Sequence, residues 1–137
     1  MGLQSQYSWW MGHQLVLVEE EEDMKKKQLP ESVVKFQSKY PEIWKAFAAL
    51  GEKCHEIGPL DEKTRRLVKL GIAIAARHEG AVHSATRNAL DAGLTPEELF
   101  HTAILSITTI GWPMAYAAMT WINEVIAGAG SESILSD

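Results

Sequence analysis

The side chains best able to do chemistry in this chain crowd into one short string, Ala76-Arg-His-Glu-Gly-Ala-Val-His. His78, Glu79 and His83 form its densest polar group. An imidazole titrates near neutral pH, so His78 or His83 can serve as a general acid or base. Glu79 and His83 are four residues apart and share a helical face. His78 and His83 are five apart, about 140° round a helix, and do not face one way. The string His-Glu-x-x-x-His is one residue longer than the zinc-protease pattern, which needs its histidines at i and i+4. A metal would also need a third ligand, for which His101 on the next helix is the candidate. On this off-spacing no metal is expected, nor any other cofactor. The plainer reading makes His78 a helix-start cap and Glu79–His83 a surface pair.

Arginines lie on either side of this string. Arg66, Arg77 and Arg87 each offer a guanidinium that matches a carboxylate bidentately. Each is equally at home as a solvated helix residue. Trp112, in Gly111-Trp-Pro113, is either a pocket wall or a core aromatic at a helix break. The one cysteine, Cys54, has no partner for an internal disulfide. His55 follows it directly, but neighbours on a helix point about 100° apart and do not make a dyad. His13 has no companions.

Helices must position these groups. Pro30 suits a first helical turn, and Tyr40-Pro41 breaks the helix it opens. A second helix runs from about Pro41 to Glu56, with Ile43, Trp44, Phe47 and Leu50 as its apolar stripe. Gly58-Pro59 ends it, and Asp61 caps a third. The third helix is apolar nearly all round from Leu70 to Ala76, with Val68 and Ile72 beside Leu67 and Ile74, which predicts a central place. The next spans about residues 79–92. Its row Ala81, Ala85, Ala89 allows another helix to approach closely, and Gly93 fits its left-handed end. Thr95-Pro-Glu-Glu98 is a capping box. It opens a helix through Leu99, Ala103, Ile104 and Ile107, interrupted at Gly111-Trp-Pro113. A last helix puts Ala115, Ala118, Ile122 and Val125 on one face, and residues 128–137 read as a frayed tail. No strand pattern persists. The pattern predicts an all-α domain of five or six helices.

A chain of 137 residues fits one domain and can bury a core. The net charge of -5 comes from the run Glu19 to Asp23 alone, so the remainder is electrically balanced. A balanced body has no basic footprint for nucleic acid. No apolar run is long enough to span a membrane. With no signal peptide and a single thiol, the cytoplasm is the expected location. Residues 1–23 differ in character from the rest and are expected to be either a mis-start before Met24 or an N-terminal arm on a neighbouring subunit. Residues 24–137 make the domain.

The order of these motifs resembles the carboxymuconolactone decarboxylase and alkylhydroperoxidase D-like family over roughly residues 45–127. The pieces that carry it are the Asp61-capped helix, Leu90-Asp-Ala-Gly-Leu-Thr-Pro-Glu-Glu98, the Gly111-Trp-Pro113 break and the Ala-rich helix after it. The resemblance implies an alkylhydroperoxidase D-like helical bundle, a homo-oligomer (trimer or hexamer) and sites near subunit contacts. It also implies a small-molecule ligand. Redox members of the family carry Glu, a Cys-x-x-Cys pair and His. Those positions here are Arg66, His78, Ala81 and Ala85. A thiol peroxidase needs a thiolate to attack and a second sulfur to resolve, so that activity is disfavoured. The expectation is a non-redox enzyme acting on a small carboxylated or lactone-type compound. In it His78 or His83, with Glu79, moves a proton, and Arg66, Arg77, Trp112 and His101 hold the substrate. The alternative is a catalytically silent binding protein on the same scaffold.

Overall fold

The structure, a computed structural model, describes residues 29–130. The leader at 1–23 and residues 131–137 of the expected tail lie outside these. The described chain is helical, with no strand: α1 (Glu31–Lys39), α2 (Pro41–Glu56), α3 (Glu62–Ala75), α4 (Glu79–Asp91), α5 (Pro96–Leu105), a single turn α6 (Ile107–Ile110) and α7 (Trp112–Gly128). Two compact units divide between Cys54 and His55.

In the first unit, Tyr40 leaves the helical region at φ -129° and ψ 63° before Pro41, which separates α1 from α2. Phe36 and Tyr40 stack at 5.3 Å between ring centroids, and Trp44 and Phe47 at 5.6 Å. No residue of either helix is buried. The predicted stripe of α2 exists, yet Ile43, Phe47 and Leu50 are each more than half exposed.

In the second unit α3, α4 and α5 each start with a side chain that accepts from a free first-turn amide. The Asp61 carboxylate accepts from the Thr64 amide at 2.8 Å. The His78 Nδ1 accepts from the Ala81 amide at 3.0 Å. Thr95 and Glu98 complete the capping box. Gly111, at φ 92°, lets the chain turn into Trp112-Pro113 and α7. Gly93, at φ 89°, closes α4 as its sequence position predicts.

The core is built on α7. Its Ala115, Ala118, Ile122 and Ile126 are fully buried against Leu70 and Ile74 of α3, Val82 and Ala89 of α4, and Leu99 and Ala103 of α5. Thr86 is buried among them, and its hydroxyl donates to the Val82 carbonyl at 2.7 Å. Three expectations change. Helix α3 is one-sided: Leu70 and Ile74 are buried while Ile72 is 63% exposed. The inner face of α7 runs through Met119 and Ile126 rather than Val125, because 3.6 residues per turn carry the row from Ile122 to Ile126. Ile104 lies on the exposed side of α5, which ends at Ser106. There the Ser106 hydroxyl bonds the Ala103 carbonyl at 2.6 Å and competes with the helical ladder.

This packing predicts that Leu70→Ala costs about 2–5 kcal/mol of unfolding free energy in urea denaturation. Ile72→Ala, two residues away on the outer face, should cost well under half of that. Equal losses at the two positions would contradict the one-sided α3.

Candidate functional site

A cavity of about 280 Å³ lies between α3 and α4. Its walls are Ile72, Ala73 and Ala76 from the α3 side and Ala81 and Ala85 from α4. Its polar groups are Arg66, Lys69, Ser84 and Asn88. The row of small residues on α4 was expected to draw a helix into close contact. It does so with α3: Ala89 is fully buried, and Ala81 and Ala85 are half-buried, packed against the same core and also lining the cavity.

Arg66 and Lys69, one turn apart on α3, place two cationic side chains at this cavity. Arg66 is held from behind. Its Nη1 lies 3.3 Å from His55 Nε2, and its Nη2 is a loose 3.9 Å from the exposed carboxylate of Glu62. Its Nε is shielded from solvent and has no hydrogen-bond partner, as is also true of Arg65 Nε. Because a guanidinium only donates, His55 Nε2 must accept and the ring is neutral. The pKa of His55 is correspondingly lowered, first by burial and then by the charges of Arg66, Lys69 and Arg65.

A second polar group occupies another face of α4. His83 Nε2 lies 2.9 Å from Glu124 Oε2 on α7. The donor atoms of Glu79, His83 and Glu124 all lie within 4.8 Å of one another. On α4 the means of the two sets, Glu79/His83 and Ala81/Ser84/Ala85/Asn88, are roughly 170° apart at 100° per residue. The helix therefore carries one set on each side.

The residues singled out in the sequence are thus dispersed. Glu79 and His83 come together, with Glu124 rather than His101 as the third donor. His78 is the cap of α4 and belongs to neither group. Of Arg66, Arg77, Trp112 and His101, only Arg66 reaches the cavity. Arg77 turns the corner between α3 and α4 with φ 58°, an unusual value for a residue with a side chain. Trp112 is 57% exposed, its ring 5.7 Å from that of Tyr116. His101 is exposed on α5. Lys69, Ser84 and Asn88 were missed, although their spacing from Arg66, Ala81 and Ala85 puts them on the same faces. His55 and Glu124 gave no signal, because their partners are distant in sequence.

The family model for the carboxymuconolactone decarboxylase family matches residues 41–124, more than half of the chain. The chain belongs to that family. Its fold is similar to the crystal structure of a carboxymuconolactone decarboxylase family protein from Legionella pneumophila, at a TM-score of 0.59 and 23% identity. That match covers 78% of this chain and 90% of the other. No curated protein matches. Arg66, Ala81 and Ala85, three of the four positions at which the resemblance led us to expect redox residues, line the cavity. The only cysteine among the described residues, Cys54, is exposed and forms no disulfide.

The Arg66–His55 contact predicts an imidazole pKa for His55 below 6.5 in an NMR titration. Arg66→Gln should raise it only partway, since burial is the larger cause. The unfolded chain then binds the proton more readily than the folded one. Stability therefore falls as pH drops through the interval from 6.5 down to the lowered value. A His55 pKa at or above 6.5 would contradict this geometry.

Proposed function

We propose that this member of the carboxymuconolactone decarboxylase family is a non-redox protein that binds a small carboxylated compound in the α3–α4 cavity. The observation that carries this reading is the convergence of Arg66 and Lys69 on a cavity whose remaining walls are mostly apolar. The guanidinium and ammonium would take the carboxylate, and the alanines with Ile72 would take the carbon skeleton. Ser84 and Asn88 supply hydrogen bonds for a lactone or hydroxyl oxygen. At about 280 Å³ the space fits a compact acid rather than a drug-sized molecule.

Binding is favoured over decarboxylation on energetic grounds. Loss of carbon dioxide disperses the charge of the departing carboxylate. Two cations gripping that group stabilise the ground state more than the transition state. Neither His78 nor His83 lines the cavity to return a proton, and His55 stands behind Arg66. The acid–base enzyme remains the second reading, favoured by one observation: the 2.9 Å His83–Glu124 pair can hold a proton. Thiol peroxidase chemistry is set aside, because a single sulfur cannot both attack and resolve.

A homo-oligomer, trimer or hexamer, is part of the same reading. Ile43, Phe47 and Leu50 on α2 form an exposed apolar stripe that a second subunit would cover. Among the described residues no helix is long and apolar enough to cross a membrane, and we place the protein in the cytoplasm. Neither nucleic acid nor membrane is a partner in this reading.

Calorimetry with a panel of small lactone carboxylates and oxo-acids should find saturable binding. Arg66→Gln should weaken it at least about tenfold, the equivalent of roughly 1.4 kcal/mol for one charge-assisted contact. His78→Ala should leave it unchanged. Binding insensitive to Arg66 would refute the cavity assignment, and turnover that disappears in His83→Ala would favour the second reading. In light scattering, the intact protein should run as an oligomer and Phe47→Glu should lower its mass. A monomeric parent protein would contradict the subunit contact.

A further inference from the structure

The second polar group on α4 has a composition the cavity does not explain. Glu79 and His83 lie one turn apart near the start of the helix, and Glu124 reaches them from α7. In a neutral imidazole, Nε2 offers a single N–H or a single lone pair. Glu124 takes the one bond that Nε2 can make, so Glu79, whose ligand atom lies within 4.8 Å of theirs, gains none from it. The two anionic groups also repel each other at this range. A divalent cation would relieve both problems at once. It would take the imidazole lone pair, and the two carboxylates would neutralise its charge.

We infer that Glu79, His83 and Glu124 form a binding site for a late first-row divalent cation, zinc foremost, that ties α4 to α7. One nitrogen and two carboxylate oxygens make a donor set suited to zinc and its neighbours, whereas magnesium and calcium prefer all-oxygen sites. The geometry is within reach. Ligands at the usual zinc distances sit about 3.3 Å from one another in a tetrahedron. Here all three donor atoms already lie within 4.8 Å, with His83 and Glu124 at 2.9 Å. Small rotations of the two exposed glutamates close the remainder. His83 is the anchor, its side chain only 25% exposed, while that of Glu124 is 53% exposed and leaves room for water as a fourth ligand.

The site departs from the sequence expectation, which was of no metal and had only His101 as a candidate third ligand. The i, i+4 pair Glu79–His83 supplies two donors from one helix, and Glu124 supplies what His101 was expected to. It lies on the side of α4 turned away from the Arg66–Lys69 cavity, so the two assignments stand or fall separately.

The test is titration of the intact, chelator-treated protein, carrying no affinity tag, with zinc chloride alone. Isothermal calorimetry and metal analysis after dialysis should each give one zinc per chain, with a rise in Tm on loading. Glu124→Gln and His83→Ala should each weaken affinity by more than the roughly 10- to 100-fold seen for outer-shell changes. Glu79→Gln, an exposed and conservative change, provides the variant least able to disturb folding, and it should weaken zinc by a similar factor. His101→Ala and Cys54→Ser should have no effect, and magnesium should not compete. Absence of saturable zinc binding would overturn the assignment, as would binding that persists in Glu79→Gln and Glu124→Gln or that is lost in Cys54→Ser.

Discussion

The separation of α3 from α4 is the constraint on which the site depends. Leu70 and Ile74 on one helix and Val82 and Ala89 on the other are packed to full burial and fix how near the backbones can come. Ala81 and Ala85 pack against the same core, and their short side chains leave the outer edge of the interface open. The space left there is a half-open cavity with exposed Ile72, Ala76 and Asn88 on its rim, and the long side chains of Arg66 and Lys69 bring charge to it. A larger residue at Ala81 or Ala85 would fill the space, and the site would be lost while the core survived.

Helix α4 serves two unlike chemistries because its faces are separated by the geometry of the helix. One side is a row of small and neutral polar residues that borrows its charge from α3. The other is a nitrogen and two carboxylates shared with α7. Between them run the buried residues Val82, Thr86 and Ala89. His78 belongs to the helix itself: its ring satisfies the Ala81 amide and stands 3.3 Å from where a side chain at Gly80 would begin. Its value is conformational.

Much of the fold was legible because helix ends are written locally. Asp61, Gly93 and the Thr95–Glu98 box each act over three or four residues, and each appears where the sequence placed it. What was not legible depended on contacts across the chain. The apolar stretch from Leu70 to Ala76 gave no sign of which side would be buried, since that is decided by the packing of α4 and α5, with α7, later in the chain. The candidate site divides in the same way. Arg66, Glu79 and His83 stood out by type, whereas His55 and Glu124 acquire meaning only through Arg66 and His83. Lys69, Ser84 and Asn88 were available from their helical spacing to Arg66, Ala81 and Ala85, but no motif marked them.

The central claim is that a carboxylate is received between α3 and α4. The most direct measurement is a nitrogen-edited NMR titration of the intact protein with a small lactone carboxylate. The account predicts saturable shifts at the amides of Ala81, Ser84, Ala85 and Asn88, with the Arg66 Nε resonance moving in step. Shifts confined to Glu79, His83 and Glu124, with the cavity amides unmoved, would contradict it.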